Sequence, residues 1–139
     1  MEQEGEFNRI DKSEKKMYGP RGLLVCGYPE EERGSFIEFI AKINISDIPV
    51  IFAVNNDVEK SLGELFACEY MAGITGPSDL PRSVIMSGLS QNELHDLMGA
   101  YREAGFVSQI WASLTPTSEA WTLKDLLIQL LAEARAMRR

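Results

Sequence analysis

Histidine and cysteine are scarce in this chain, which has one histidine and two cysteines among its 139 residues. A structural zinc site usually needs four such ligands, so we expect no metal site. Cys26 and Cys68 lie inside apolar stretches, which is typical of reduced, buried thiols rather than of a disulfide framework. No glycine-rich phosphate or dinucleotide fingerprint occurs either, so we expect no cofactor. Because His95 lies midway along a predicted helix, we also expect no serine triad or other catalytic set.

Basic residues and long apolar runs are also few. The chain has 14 Lys and Arg against 21 Asp and Glu, a net charge of −7, and no basic stripe of the kind that binds a phosphate backbone. No run approaches the roughly 20 apolar residues of a membrane span, and the charged N-terminus lacks the apolar core of a signal peptide. We therefore expect a cytoplasmic protein that binds neither nucleic acid nor membrane.

Four apolar runs alternate with four helix-like patterns along the chain. Fully apolar strands alternating with helices indicate a sheet that is covered on both faces. We predict a single α/β domain with the element order βαβαβαβα and a four-stranded, mainly parallel sheet of order 2-1-3-4. Residues 1–20 are predicted to be a flexible charged tail, and residues 21–139 the domain. The runs are "LLVCGY" (23–28), "IPVIFAV" (48–54), "RSVIMSG" (82–88) and "SQIWASL" (108–114).

Helix starts are marked by capping patterns. Ser61 and Ser90 are each followed three residues later by glutamate, which predicts capping boxes for a helix that reaches Tyr70 and for a helix that stops at Gly105. Thr122, three residues before an aspartate, predicts the start of the last helix. The segment between the two halves, "MAGITGPSDLP" (71–81), is rich in glycine and proline and is predicted to be a linker.

The segments "SLGELF" (61–66) and "TLKDLL" (122–127) resemble each other at a spacing of 61 positions. The same spacing aligns Gly27 with Gly88 and Glu32 with Glu93, whereas the strands "PVIFAV" and "QIWASL" match best with a slip of one residue. One interpretation is a duplication into two βαβα halves. The other is that any two βαβα segments share this punctuation without a common origin.

The predicted sheet locates a candidate ligand site. In a parallel sheet the carboxyl ends of the two central strands meet in a crevice, where ligands of open α/β sheets usually bind. The glycines would leave room above the strand ends, and an acidic ligand group is expected nearer Ser90 than Pro29, because the latter turn carries three glutamates. The alternative for Ser90 is that it only caps its helix. The candidate ligand-binding residues are Gly27, Tyr28, Ser87, Gly88, Leu89 and Ser90.

Cys26 has two interpretations. A thiol at the end of a strand that faces a helix N-terminus can have a lowered pKa and be reactive. A small buried core residue is the alternative, because free cysteine is among the most buried residue types.

The second half of the chain resembles a known family. The segment "WTLKDLLIQLLAE", preceded by a strand and by "GLSQNELHDLMGAYREAG", is similar to an uncharacterised prokaryotic family known only as domain of unknown function 3783. The resemblance would cover roughly residues 22–135 and is strongest in the second half. It implies no activity, cofactor or catalytic residue.

These observations predict a binding protein. The first hypothesis is a protein-interaction or regulatory module that works with a protein partner or as a homodimer, through an edge strand or the outer face of the last helix. The alternative is a module that binds a small anionic ligand in the crevice. An enzyme that uses Cys26 is the least supported hypothesis.

Overall fold

The computed structural model describes residues 16–43, 47–68 and 75–137. Within these ranges the chain forms one four-stranded sheet and four helices. Two short 3-10 turns, Asn55–Asp57 and Ser118–Ala120, precede the second and fourth helices. The strands are β1 (Gly22–Cys26), β2 (Val50–Ala53), β3 (Ser83–Ser87) and β4 (Ile110–Ser113), and the helices are α1 (Glu30–Lys42), α2 (Leu62–Phe66), α3 (Gln91–Glu103) and α4 (Leu123–Met137).

The strand order is β2-β1-β3-β4, as predicted. The prediction of a mainly parallel sheet is wrong, because β1 and β3 pair antiparallel at the centre while β1·β2 and β3·β4 are parallel. Helical crossovers connect only the strands within each parallel pair, so they do not determine the direction in which β3 meets β1. A strand that is buried on both faces has the same apolar composition in either direction.

Each face of the sheet has its own apolar core. Alternate strand residues point to opposite faces, so Leu23 and Val25 pack with α1 and α3, whereas Leu24 and Cys26 pack with α2 and α4. The first core is rich in aromatic rings, among them Phe36 and Tyr101. Burial on both faces explains why the sequences of the three strands β1 to β3 are apolar without alternation.

The capping residues act where the sequence places them. The Ser61 and Ser90 hydroxyls each accept the N–H of the glutamate three residues later, and both capping boxes are complete. Thr122 Oγ1 accepts the N–H of Asp125 at 3.1 Å. Helix α2 is shorter than predicted and ends at Phe66, while Tyr70 lies outside the described residues.

The strand pairing repeats at a spacing of 61 positions. Leu23 pairs with Val50 in the first half, and Val84 pairs with Trp111 in the second. No slip of one residue is present, so that part of the predicted alignment is wrong. At the centre of the sheet Leu24 faces Ile85, which is its own equivalent. The pairing therefore has the pattern of an approximate two-fold axis perpendicular to the sheet, and the bridge between Ser61 and Thr122 has the same property.

Part of the predicted tail contacts the domain. Met17 N–H donates to the Leu89 carbonyl at 2.8 Å, and Gly88 N–H donates to the Tyr18 carbonyl at 3.1 Å. Residues 1–15 lie outside the described residues, and the domain boundary at residue 20 stays a prediction. Among the helices that the structure describes, none is long and apolar enough to cross a bilayer.

Candidate functional site

The predicted crevice is absent because its two sides lie at opposite ends of the two central strands. In the antiparallel pair, Cys26 faces Ser83 and Gly22 faces Ser87. The carboxyl end of β1, with Gly27 and Tyr28, therefore lies beside the amino end of β3. The carboxyl end of β3, with residues 87–90, lies beside the amino end of β1. The structure does not bring the two sets of predicted site residues together.

The two glycines also do not leave open space above the strand ends. Gly27 has φ +80°, and a Cβ there would lie 2.4 Å from the Leu80 carbonyl oxygen. Gly88 has φ +70°, and its Cβ would lie 2.7 Å from the Gly19 carbonyl oxygen. Backbone fills the space in both cases. Glycine is needed here for the left-handed conformation and for the close approach of a neighbouring segment.

Two backbone N–H groups of the turn at Ser90 already donate hydrogen bonds within the chain. Ser90 N–H donates to the Glu93 carboxylate at 2.9 Å, and Gly88 N–H donates to Tyr18. Ser87 and Leu89 are fully buried. These contacts fit the capping interpretation of Ser90 and occupy two backbone donors of this turn, whereas the buried Ser87 hydroxyl has no hydrogen-bond partner in the described part of the chain.

The surroundings of Gly27 are also unlike those predicted, whereas Cys26 agrees with the second of its two interpretations, a buried core residue. A groove of about 410 Å³ lies beside Tyr28 and Pro29, but residues 87–90 do not line it, and Glu30, Glu31 and Asp79 give it acidic walls. Cys26 is 0% exposed, and burial raises the pKa of its thiol to about 12. A thiol that is protonated and out of reach of solvent is a poor nucleophile.

Two arginines that precede the central strands mark equivalent positions. Arg21 donates to both carboxylate oxygens of Glu93, at 2.8 and 2.6 Å. Arg82 donates to Glu32 at 2.8 Å. The two arginines are 61 positions apart in the sequence, and so are the two glutamates. The same arginine-glutamate pair therefore joins a strand start to a helix start on each side. The sequence contains this signal, because the spacing that aligned the glutamates also aligns the arginines.

The two arginines differ in their second partner. Arg21 also donates to the Asp47 carboxylate at 2.8 Å. The residue equivalent to Asp47 is Ser108, which is exposed and uncharged. The hydrogen bonds from Arg21 lower the pKa values of both the Glu93 and the Asp47 carboxyl groups. Arg21 thus holds two carboxylates, whereas Glu32 is the one carboxylate within ion-pair distance of Arg82 in the described part of the chain.

A buried polar network surrounds Arg82. Its guanidinium carbon lies 3.9 Å from the centre of the Tyr28 ring, a cation–π contact, and its Nε donates to the Tyr101 hydroxyl at 3.3 Å. Tyr28 donates to Gln109 Oε1 at 2.8 Å, and burial raises the pKa of Tyr28 above its ordinary value. The residues predicted from the sequence include Tyr28 but not Arg82, Tyr101 or Gln109.

The equivalent positions around Arg21 are apolar and buried. The fold therefore does not require a polar network, because aliphatic side chains occupy the equivalent backbone positions beside Arg21. The replacements are Leu89 for Tyr28, Ile40 for Tyr101 and Ile48 for Gln109.

Gln109 and Ser108 lie between two grooves. One groove, of about 360 Å³, is also lined by Tyr101, Phe106 and Trp111. The other, of about 370 Å³, is lined by Arg82, with Leu131 on its apolar side. Gln109 Nε2 is buried and has no hydrogen-bond partner in the described part of the chain. An unpaired buried donor is uncommon, because its desolvation costs about 1–3 kcal/mol.

The arrangement supports binding through charge and hydrogen bonds. Over residues 16–43, 47–68 and 75–137, no three His, Cys, Asp or Glu side chains are grouped to hold a metal ion. A guanidinium stacked on a tyrosine ring, beside a free amide donor, suits an acidic or carbonyl group of a ligand.

Comparison with known proteins gives one match. No curated protein and no solved structure matches the chain significantly. The range that does match, residues 82–137, contains β3, α3, β4 and α4, and the first half of the predicted resemblance is not matched. Residues 82–137 match the model of the family described as Domain of unknown function (DUF3783), which confirms the resemblance predicted for the second half of the chain and assigns it no activity.

Proposed function

We propose that the protein is a protein-interaction module whose partner adds a strand along the outer edge of β4. The observation that carries this proposal is a difference in cover between the two edge strands. All four residues of β2 are buried, whereas all four residues of β4 are only half-buried. Edge strands with unpaired backbone groups are ready templates for pairing with another chain.

We also propose that the chain is built from two βαβα repeats. The spacing of 61 in the strand pairing and in the arginine-glutamate ion pairs supports it, as does a family model that covers one repeat. In this interpretation β2 and β4 are equivalent. The greater exposure of β4 is then not required by the repeated fold, because the equivalent strand β2 is buried.

The backbone of β4 has donors to offer. Ile110 N–H donates to the carbonyl of Arg82, just before β3, and Leu114 N–H donates to the carbonyl of Met86 in β3. Because alternate residues of a parallel strand face the same neighbour, Trp111 and Ser113 direct theirs away from the sheet. Val107, just before the strand, is 62% exposed and adds apolar surface at this edge.

The other expectations have weaker support. The outer face of α4 exposes Ile128, but exposed Lys124 and Gln129 lie near it, so the apolar surface there is small. Single exposed apolar residues are normal on a monomer. An enzyme that uses Cys26 is disfavoured by the burial and raised pKa of the thiol.

The partner that can be tested directly is a second copy of this chain. Two β4 edges can pair antiparallel about a two-fold axis, an arrangement that needs only one self-complementary surface. Sedimentation velocity over a range of concentrations should show a monomer-dimer equilibrium. Amide hydrogen exchange at Trp111 and Ser113 should slow as the dimer forms.

Ser113→Pro is the sharp variant for this test. It removes an N–H that faces outward and leaves the bonds to β3 in place, so the variant should keep its stability within about 1 kcal/mol and remain monomeric. Ser113→Ala is the matched control and should dimerise like the wild type. A wild type that stays monomeric at every concentration, or a Ser113→Pro variant that folds and dimerises normally, would contradict pairing along β4.

A further inference from the structure

The two arginine sites provide an internal comparison. Arg21 and Arg82 lie at equivalent positions before the central strands, and each is held by the third residue of a helix, Glu93 or Glu32. The two sites differ in the other residues that contact the guanidinium group. The ion pair with glutamate occurs at both sites and belongs to the shared fold. The other contacts of each guanidinium are particular to one site.

Asp47 shows where a second carboxylate binds such an arginine. Its Oδ1 lies 2.8 Å from Arg21 Nη2, the same nitrogen that donates to Glu93 Oε2 at 2.6 Å. At Arg82 the equivalent residue, Ser108, has no carboxylate. The formal charge of Arg21 with its two acidic partners is −1, while Arg82 and Glu32 together are neutral. An added carboxylate would give the Arg82 site the same charge as the other.

The position is built to receive such a group. Arg82 and Ser108 line the same groove of about 370 Å³, and Gln109 lines it as well, with a buried Nε2 that has no partner in the described residues. Glu32 and the Tyr28 ring hold the guanidinium in place. A donor that is already fixed loses little entropy when a ligand binds. Apolar residues also line the groove, among them Pro81, Leu131 and Ala134.

We propose that Arg82 binds the carboxylate of a ligand in the position that the Asp47 side chain occupies on Arg21, with Gln109 as a second donor. The ligand chemistry is a carboxylate on an apolar body that fits the groove. Guanidinium groups recognise carboxylates through parallel, charge-assisted hydrogen bonds. The source is either a free small molecule or an acidic group of the protein that pairs with β4. The inference goes beyond the proposed pairing and does not need it.

Hexanoate is a suitable probe, with hexanamide at the same concentration as the neutral control. In a nuclear magnetic resonance titration at constant ionic strength, hexanoate should shift the Arg82 Nε–H, the Gln109 side-chain amide and the Ser108 backbone amide, with a dissociation constant on the order of 1 mM. Hexanamide should shift them at least about tenfold less at equal concentration, because it lacks the charge.

The decisive variant is Ser108→Asp, which places a carboxylate in the chain where Asp47 stands in the other half. It should weaken hexanoate binding about tenfold or more, while Ser108→Asn, its uncharged match, should bind like the wild type. Arg82→Gln should abolish binding. Ser108→Asp keeps Arg82 and its ion pair, so it tests the site even where Arg82→Gln does not fold.

Two results would overturn the inference. One is a wild type whose Arg82 and Gln109 resonances do not respond to hexanoate at 20 mM, about twenty times the expected dissociation constant. The other is a folded Ser108→Asp variant that binds hexanoate as tightly as the wild type. The Ser113→Pro variant, which is expected to be monomeric, tests whether a free carboxylate binds without pairing along β4. Hexanoate binding to it would show that the site takes a free carboxylate whether or not β4 pairs, and loss of binding in this folded variant would overturn the independence from β4.

Discussion

Gly88 and Gly105 both have a positive φ, at +70° and +84°, but only Gly88 is packed against another segment. A Cβ at Gly88 would lie 2.7 Å from the Gly19 carbonyl oxygen and 2.8 Å from the Arg21 Cα, whereas nothing lies within 4 Å of the same point at Gly105. Alanine at either position has the conformational cost of a left-handed residue. The clash with backbone is added only at Gly88.

The magnitudes follow from these two terms. The left-handed conformation costs an L-residue about 1–2 kcal/mol, so Gly105→Ala should lower the free energy of unfolding by that amount. Pushing a methyl group into packed backbone adds about 1–3 kcal/mol. Gly88→Ala should therefore cost about 2–5 kcal/mol in total.

Urea denaturation of the two variants and the wild type measures the difference. The midpoint should fall more for Gly88→Ala than for Gly105→Ala, with unchanged slopes. Equal losses at the two positions would refute the close approach of residues 19–21 to the end of β3, and with it the antiparallel placement of β1 beside β3. A Gly88→Ala variant too unstable to fold would agree with the prediction, since Gly105→Ala reports the conformational term alone.

Three further predictions concern the cap, the thiols and the N-terminus. Thr122→Ala should cost about 1 kcal/mol of unfolding free energy because it removes the cap of α4, whereas Lys124→Ala at an exposed position should cost no more than about half of that; equal losses would contradict the helix start. Under native conditions iodoacetamide should modify the half-buried Cys68 well before the buried Cys26, as mass spectrometry of peptides would show, and rapid labelling of Cys26 would contradict its burial. Deleting residues 1–15 should leave the melting temperature unchanged within a few degrees, because ordering such a polar segment costs about 1–2 kcal/mol per residue; a large drop would show that the segment stabilises the domain.

Local features of the fold could be predicted from the sequence because their causes are local. The hydroxyls of Ser61, Ser90 and Thr122 satisfy N–H groups three residues away, whatever surrounds them. Apolar runs between glycines and prolines likewise mark buried strands.

The candidate site was harder to predict because its residues are distant in sequence. Arg82 contacts Glu32, 50 positions away, and Tyr28 bonds to Gln109, 81 positions away. None of these residues belongs to a recognisable motif. The spacing of 61 would have paired Arg21 with Arg82, but the sequence does not show which carboxylate reaches which guanidinium.

The sequence by itself determined the strands and the helix caps, since each depends on the pattern of apolar and capping residues along the chain. Only the tertiary structure decided the direction of β3 against β1. That direction depends on how two separately connected strand pairs dock, and apolar strands buried on both faces can pair either way. The antiparallel choice separated Gly27 from Gly88 by the length of the strands and placed Tyr28, which follows β1, beside Arg82, which precedes β3.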